Sequence, residues 1–285
     1  MTYDRDMEKV LKTRFAPTPS GYLHFGNFCN LILTYWFAKK NDAKFVLRID
    51  DYDKSRNQMK YIEDIFRVLD QLKINFDEGP SSVEDFHKNF SQILFFSDYW
   101  NKLREIKHQY NCTCTRKDYQ DQAIYPRNCL EKKRVFEKHK SQIRYNVFDG
   151  NELFYSRIGD FVLWRKEDIP SYQLVSVLED SAMGITHIIR GQDLYFSSLA
   201  QNYLAQIEKI EFPFLKHIFH HKLITKGEIK LSKSQNAPKL MDELSHPQGP
   251  EKLVFKFCKH FGLPELTMDE LLNFDLPAGI LTPTV

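Results

Sequence analysis

Residues 10–27 read VLKTRFAPTPSGYLHFGN, and the fold of the chain follows from this stretch. An apolar run up to Ala16 is followed by two prolines, which lack the N–H group that regular structure requires. Beyond Asn27 the apolar residues recur at helical spacing. The stretch therefore predicts a strand, a rigid loop and the N-terminus of a helix. At such an N-terminus, unpaired N–H groups and the helix dipole favour an anion such as phosphate.

A second strand is predicted at residues 44–49, and it ends in the acidic run DDYD at 50–53. A strand, a helix and a strand in this order form a βαβ unit, which implies a parallel sheet with a right-handed crossover. Ligands of such sheets bind beyond the carboxyl ends of the strands, so we expect the loop after Ala16 to lie beside Asp50. The residues alone leave a metal site, a helix cap and an amine-binding site open for these carboxylates.

The composition excludes several classes of protein. With 285 residues, 42% hydrophobic and 27% charged, the chain is long enough for one large or two modest domains. The net charge of +2 shows no global basic excess, so nucleic-acid binding would need a local patch. No apolar run approaches the ~20 residues that span a bilayer, and the polar start is unlike a signal peptide. We therefore expect a cytoplasmic chain that does not contact membranes, with its five cysteines reduced.

Three of the five cysteines form a cluster in the sequence, at Cys112, Cys114 and Cys129. Thiolates are preferred zinc ligands, and a structural zinc site needs four ligands. The candidates for the fourth ligand are Tyr125, Tyr119, His108 and His139. The spacing alone is as compatible with free thiols as with a metal.

Two later stretches carry positive charge, one at the end of a predicted strand and one in a predicted loop. Residues 184–194 read GITHIIRGQDL and predict a strand that ends at Arg190. A buried arginine at a strand end is costly without an anion, although a structural salt bridge would also satisfy it. Residues 227–237 read GEIKLSKSQNA and predict a flexible cationic loop.

Four of these motifs together resemble class I glutamyl-tRNA synthetases. Residues 14–26 are similar to the signature R-F-A-P-S-P-T-G-x-L-H-x-G, and residues 48–53 to R-I-E-D-T-D. Residues 170–194 resemble the family's P-x-Y-x-L-A block with its V-I-R-G-x-D-L end, and residues 230–234 resemble K-M-S-K-S. The resemblance covers about residues 13–275. It implies a Rossmann-type α/β catalytic domain at 1–240, with an insertion at about 75–150, and a short helical C-terminal segment at 241–285.

The cysteine cluster resembles a smaller group within this family, the short glutamyl-queuosine tRNA(Asp) synthetases. In their zinc knob, two cysteines, a tyrosine and a third cysteine hold the ion. The resemblance thus assigns a structural zinc to the segment 112–129, with the ligands Cys112, Cys114, Tyr125 and Cys129. Full-length glutamyl enzymes carry a helical anticodon-binding half after the lysine loop. Fewer than fifty residues follow that loop here, so we expect this half to be absent.

The resemblance also assigns residues to roles. Catalysis falls to His24, Lys230 and Lys233. The implied glutamate ligands are Arg14, Ala16, Thr18, Asp50, Tyr172 and Arg190. The implied ATP ligands are His24, Gly26, Asn27, Asp193, Lys230, Leu231, Ser232 and Lys233. Two positions depart from the family: Asp50 stands where the glutamyl enzymes have glutamate, and Ser176 stands where the full-length enzymes have asparagine.

The function implied is activation of glutamate by ATP and Mg²⁺ without bound tRNA. The glutamate would then be transferred to the queuosine base of tRNA(Asp) by a monomeric enzyme. The departures at Asp50 and Ser176 leave another acceptor open, such as a different tRNA, a carrier protein or a peptide. Two other functions are weighed against these. One is an RNA-binding module that has lost catalysis, and the other is a nucleotidyltransferase of coenzyme metabolism. The intact Arg14 and His24 disfavour the first, and the Arg190 block with the cysteine cluster disfavours the second.

Overall fold

The structure is a computed structural model, and it describes residues 10–147, 152–223, 225–226, 229–230 and 239–284. For residues 152–153, 225–226 and 229–230 it describes the backbone alone. Of the predicted lysine loop, the backbone of Lys230 is therefore described, whereas Leu231, Ser232 and Lys233 lie outside the described residues.

In this part of the chain, helices and strands alternate through the first half and helices dominate the end. The helices are α1 (Phe25–Lys40), α2 (Met59–Gln71), α3 (Val83–Asp85), α4 (Phe96–Glu105), α5 (Glu152–Ile158), α6 (Tyr172–Ala182), α7 (Tyr195–Glu208), α8 (Leu240–Leu244), α9 (Gly249–Phe261) and α10 (Met268–Asn273). The strands are β1 (Lys12–Phe15), β2 (Lys44–Leu47), β3 (Gln109–Cys112), β4 (Gln142–Tyr145), β5 (Val162–Trp164), β6 (Ile188–Gly191), β7 (Ile218–His221), β8 (Thr225–Lys226), β9 (Ile229–Lys230) and β10 (Thr282–Pro283). None of the described helices is long and apolar enough to cross a membrane.

The two parallel strand pairs meet where the order of the strands in the sheet reverses. Strand β1 pairs in parallel with β2, as the βαβ pattern predicts, and β6 pairs in parallel with β7. The backbone N–H groups of Thr186 and His187 each donate to the carbonyl of Lys12 at 3.0 Å, which joins β1 to the segment leading into β6. Strand β1 thus lies between β2 and β6. In open α/β sheets this is the switch point at which ligands bind, beyond the carboxyl ends of the strands.

Helix α1 is buried on nearly every side, because it lies between the sheet and the C-terminal helices. Phe28 contacts Phe257 of α9 in an edge-to-face pair, and the indole N–H of Trp36 donates to the carbonyl of Phe274 at 2.9 Å. An apolar helix without a polar face is expected to be enclosed in this way. The C-terminal helices share one hydrophobic core with α1 and the first strands. The division at residue 240 remains a proposal.

A second, antiparallel sheet carries the cysteine cluster. Strand β4 pairs with β3 on one side and with β5 on the other. The chain leaves this sheet after Cys112 and returns at Gln142, and it forms only two short 3₁₀ turns between them. A small buried group of Cys112, Tyr125 and Cys129 organises the segment in place of regular structure.

Candidate active site

A cavity of about 300 Å³ lies at the carboxyl ends of β1 and β6. It gathers seven of the fourteen residues that the resemblance assigns to glutamate and ATP. From that prediction, the lining includes Ala16, Thr18, His24, Gly26, Asn27, Arg190 and Asp193. The remaining wall includes His221 and Leu223, which were not predicted to belong to the site. The cavity therefore coincides with the switch point of the sheet.

His24 forms the cap of helix α1. Its Nδ1 accepts the backbone N–H of Gly26 at 3.0 Å, and its own backbone N–H donates to Oδ1 of Asn27 at 3.0 Å. The helix consequently begins at Phe25, two residues before the start that the sequence suggested near Asn27. Because Nδ1 is an acceptor, the neutral ring carries its proton on Nε2, which is a donor. The cap thus adds a side-chain donor to the end of α1 that favours anions.

Beneath the cavity, two buried arginines are paired with two buried aspartates. Arg14 donates to Asp180 through Nε (2.8 Å) and Nη2 (3.2 Å). Arg48 donates to Asp180 through Nη1 (2.6 Å) and to Asp50 through Nε (2.6 Å). Burial opposes ionisation of Asp180, but Arg14 and Arg48 outweigh it and hold the pKa of Asp180 below its usual value. The same carboxylates overcome the burial of Arg48 and raise its pKa. This network is a preformed floor for the site.

Arg190 is the exception among these buried arginines. Its side chain is fully enclosed, and Nη1 donates to Gln201 at 2.8 Å and to Ser198 at 3.4 Å. Its Nε and Nη2 have no hydrogen-bond partner among the described residues, and no described carboxylate forms an ion pair with it. Burial lowers the pKa of Arg190, and the charge of Arg14 adds to this effect. A planar fork with two unused donors matches a carboxylate in a bidentate geometry. The structural salt bridge that the sequence left open for Arg190 is not found in the described part.

Tyr172, Ser176 and Asp180 follow one another at intervals of one turn along α6. Asp180 belongs to the buried network, and the Oγ of Ser176 is buried without a partner among the described residues. Tyr172 opposes the effect of burial on the pKa of Arg190, and it lines a second cavity of about 600 Å³. One face of α6 therefore points at the same region as Arg190. The spacing of four between these polar residues is the signal that would have found Asp180 in the sequence.

Asp50, predicted to hold an ammonium group, lies in the network below the cavity. It receives Arg48 through both of its oxygens and the side-chain amide of Gln92 at 2.9 Å. It is not among the residues that line the 300 Å³ cavity. Its role toward a bound amino acid stays a prediction.

The segment 86–106, which reads as one helix in the sequence, is broken beside the site. A π-helical turn ends at Phe90 and a 3₁₀ turn begins at Gln92, before α4 starts at Phe96. At the break, Ser91 Oγ donates to Asp51 at 2.5 Å and the backbone N–H of Gln92 donates to Asp51 at 2.7 Å. In a continuous helix the backbone N–H of Gln92 would donate to a carbonyl of the preceding turn, so the break makes it available to Asp51. Together with Ser91 it holds the acidic run after β2 in place.

The cysteine cluster has the dimensions of a tetrahedral site. The sulfurs of Cys112, Cys114 and Cys129 all lie within 4.8 Å of one another, and those of Cys114 and Cys129 are 3.6 Å apart. The hydroxyl of Tyr125 is 3.3 Å from the sulfur of Cys112 and 3.5 Å from that of Cys114. Around a tetrahedral zinc, two sulfurs are separated by about 3.8 Å, and a sulfur and an oxygen by about 3.5 Å. These residues therefore fit the ion that the resemblance implies.

Arg144 lies against this cluster, and no pattern in the sequence predicts this contact. Its guanidinium carbon is 3.9 Å from the ring centre of Tyr125, and its Nη2 donates to the hydroxyl of Tyr119 at 3.1 Å. Burial opposes its charge, but Cys112 and Tyr119 raise the pKa of Arg144. A cation in this position compensates negative charge on a cluster of thiolates.

A family model for the catalytic domain of class I tRNA synthetases, described as "E and Q", matches residues 10–152 and 118–276. The chain is 34% identical, over 286 aligned residues, to the glutamate–tRNA ligase of Aquifex aeolicus; the match covers 88% of this chain and 57% of that protein. It is 31% identical, over 246 residues, to the glutamyl-Q tRNA(Asp) synthetase of Pseudomonas fluorescens, covering 82% of this chain and 80% of that protein.

Among solved structures, the chain is similar to a glutamate tRNA ligase from Elizabethkingia meningosepticum crystallised with its amino acid. The TM-score is 0.71 at 20% identity, and the match covers 94% of this chain and 65% of that one, which shows a shared fold. The chain spans about half to two thirds of the length of the glutamate–tRNA ligases that it matches. Since the family model and the nearly full-length match to the shorter relative agree, the chain belongs to the class I tRNA synthetases of the glutamate and glutamine group.

Proposed function

We propose that the chain activates glutamate with ATP to form glutamyl-adenylate. The observation that carries this proposal is the pair of unused donors on Arg190, buried at the end of β6. The γ-carboxylate of glutamate supplies the missing partner, and a neutral glutamine amide does not supply the missing charge. The neighbouring Arg14 is already bonded to Asp180, so Arg190 is the residue that selects the acid.

The chemistry is an in-line displacement at phosphorus. An oxygen of the α-carboxylate of glutamate attacks the α-phosphorus of ATP, a new O–P bond forms, and the bond to the bridging oxygen breaks to release pyrophosphate. Negative charge builds on the phosphates, and His24 with the N–H groups at the start of α1 would stabilise it. Lys230 and Lys233 would add cations from the lysine loop. Mg²⁺, when bound, supplies further neutralisation of the phosphates.

The proposal includes activation without bound tRNA. The charged floor of the site is assembled from β1, β2 and α6 alone, through the bonds of Arg14 and Arg48 to Asp180. A site already held in place by its own ion pairs does not depend on a partner to form it. Exchange of pyrophosphate into ATP, measured with and without tRNA, tests this directly. Exchange that requires tRNA contradicts the proposal.

We further propose one structural zinc ion at Cys112, Cys114, Tyr125 and Cys129. Four ligands close the coordination sphere, so the ion would have no open position for chemistry. Protein purified without chelators should contain about one zinc per chain, by metal analysis. Cys112→Ser should lower the metal content and the melting temperature more than the rate of pyrophosphate exchange. Freely titrating thiols together with an absence of zinc would contradict this.

For the acceptor, we propose the queuosine base of tRNA(Asp). Two observations support it: the match to a glutamyl-Q tRNA(Asp) synthetase spans most of both chains, and the cysteine cluster resembles the zinc knob of that group. A cavity of about 600 Å³ is lined by Cys114 and by Tyr172, which the resemblance assigns to glutamate, and it offers the space for an acceptor group.

A transfer assay with labelled glutamate separates this acceptor from the alternatives. The substrates to compare are tRNA(Asp) with queuosine, tRNA(Asp) without it, and tRNA(Glu). Labelling of the queuosine form alone supports the proposal. Labelling of tRNA(Glu) would assign the chain to the second candidate, a glutamate–tRNA ligase, which the 34% match to the Aquifex aeolicus protein favours.

A further inference from the structure

His221 ends strand β7 and forms part of the wall of the 300 Å³ cavity, together with His24, Asn27 and Asp193. Its side chain is almost completely buried, and its ring meets that of Phe261 edge to face at 6.3 Å. None of the motifs in the sequence includes this residue. Its position places an imidazole inside the proposed nucleotide site.

The hydrogen bonds of His221 settle which of its nitrogens carries the proton. Nδ1 lies 2.9 Å from the backbone carbonyl of Lys222. A carbonyl oxygen can only accept, so Nδ1 carries the hydrogen and donates it. Burial lowers the pKa of His221, which keeps the ring neutral near pH 7. Nε2 is then a pure acceptor.

This acceptor has no hydrogen-bond partner among the described residues. Buried polar atoms are nearly always paired, and each exception points to strain, to water or to a ligand. Here the residue lines a cavity, so an N–H or O–H donor of whatever fills the cavity can supply the missing partner. The other polar residues of the wall are suited to different parts of a nucleotide. The N-terminus of α1 suits phosphate, and the carboxylate of Asp193 suits a ribose hydroxyl.

The wall that contains His221 also has an apolar member. Leu223 contributes an apolar side chain there. A Cβ on Gly191 would lie 2.6 Å from Oδ1 of Asp193 and 3.3 Å from Cδ2 of Leu223, so only glycine lets these two side chains come together. A base that packs on Leu223 would occupy the same cavity that the imidazole lines.

Resting on the proposed use of ATP, we infer that Nε2 of His221 accepts a hydrogen bond from the 6-amino group of adenine, and that His221 is thereby a determinant of the choice of nucleotide. Guanine carries a carbonyl oxygen at this position, so two acceptors would face each other and both would be left unpaired.

The test is equilibrium binding of three nucleotides to the whole chain by calorimetry. The ligands are ATP, GTP and purine riboside triphosphate, which has hydrogen in place of the 6-amino group. We expect the unmodified protein to bind ATP about 3-fold to 10-fold more tightly than purine riboside triphosphate, and about 10-fold to 100-fold more tightly than GTP. In His221→Phe, which keeps a ring of similar size, ATP and purine riboside triphosphate should bind equally.

His260→Phe is the matched control. His260 also has a buried Nε2 without a partner among the described residues, but it does not line the cavity. The same chemical change there should leave the ratio of the two affinities unaltered. His221→Gln, which can present an amide oxygen near the position of Nε2, should keep part of the preference for ATP.

Equal affinities of the unmodified protein for ATP and purine riboside triphosphate overturn this inference and leave the proposed function intact. If His221→Phe still binds ATP more tightly than purine riboside triphosphate, the inference is also wrong and the proposed function again remains intact. If none of the three nucleotides binds, the proposed use of ATP fails and the inference falls with it. The comparison within the unmodified protein keeps the test decisive even if a variant does not fold.

Discussion

Arg14 and Arg190 end neighbouring strands, are equally buried, and have opposite surroundings. The Nε and Nη2 atoms of Arg14 are both bonded to Asp180, whereas the same two atoms of Arg190 have no partner among the described residues. The first arrangement stabilises the fold, and we propose that the second one binds the substrate. The resemblance assigned both residues to glutamate, and their hydrogen bonds differ: Arg14 is paired within the protein, whereas two donors of Arg190 are not.

The largest effect on stability is expected at Asp180, which is the partner of Arg14. Asp180→Asn leaves Arg14 and Arg48 without their shared charge in a buried site. Removing one partner of such a network costs about 3–5 kcal/mol of the free energy of unfolding. Urea denaturation followed by circular dichroism measures it. Asp275→Asn is the control: Asp275 pairs with Lys40 but is 94% exposed, so its loss should change stability by less than about 0.5 kcal/mol. Equal effects of the two changes would remove the distinction.

Arg190→Met tests the unpaired side. The side chain carries a buried charge that forms no ion pair with a described carboxylate, so its replacement by an apolar side chain should leave the stability unchanged or raise it. Glutamate affinity should nevertheless fall by a factor above about 100, because a buried charge-assisted pair is lost. Calorimetric titration with glutamate, alongside urea denaturation of the free protein, measures both. A loss of stability as large as that of Asp180→Asn would show that Arg190 is structural.

The pH dependence of stability sharpens the same comparison. The pKa of Asp180 is lower in the folded chain than in the unfolded one, so the unfolded state binds the proton first as the pH falls. The stabilisation from this carboxylate is complete above the unfolded pKa of about 3.9 and is lost as the pH drops through the lower folded pKa. The difference in unfolding free energy between the unmodified protein and Asp180→Asn should therefore be constant from pH 7 to about pH 5 and shrink below pH 4. A difference that is independent of pH down to pH 2.5 would rule out Asp180 as the titrating group.

Much of the fold and of the site follows from local sequence. The two prolines after Ala16 and the apolar residues beyond Asn27 predict β1, its loop and α1. These elements depend on the local backbone preferences of the residues that form them. The same local logic places Arg190 at the end of a strand and the cysteines together. The partners of these residues are another matter. Asp180 lies 166 positions from Arg14, and Gln92 bonds to Asp50 from the irregular turn that follows Ser91. Arg144 against Tyr125 and the tautomer of His221 likewise depend on contacts that no local pattern encodes.

The smallest effect concerns two buried serines that differ only in their partners. Ser198 is bonded to the carbonyl of Leu194, to His220 and to Arg190, whereas the Oγ of Ser176 has no partner among the described residues. Ser176→Ala removes an unpaired polar atom, so it should raise the unfolding free energy of the free protein by up to about 1 kcal/mol, and Ser198→Ala should lower it by a similar amount. If Ser176 faces bound glutamate, Ser176→Ala should also weaken glutamate binding by about 3-fold to 10-fold. Urea denaturation with and without saturating glutamate measures both effects in one experiment. The stabilisation should vanish or reverse once glutamate is present. If Ser176→Ala changes the unfolding free energy by the same amount with and without glutamate, Ser176 has a structural role, like Asp180, and does not contact the substrate.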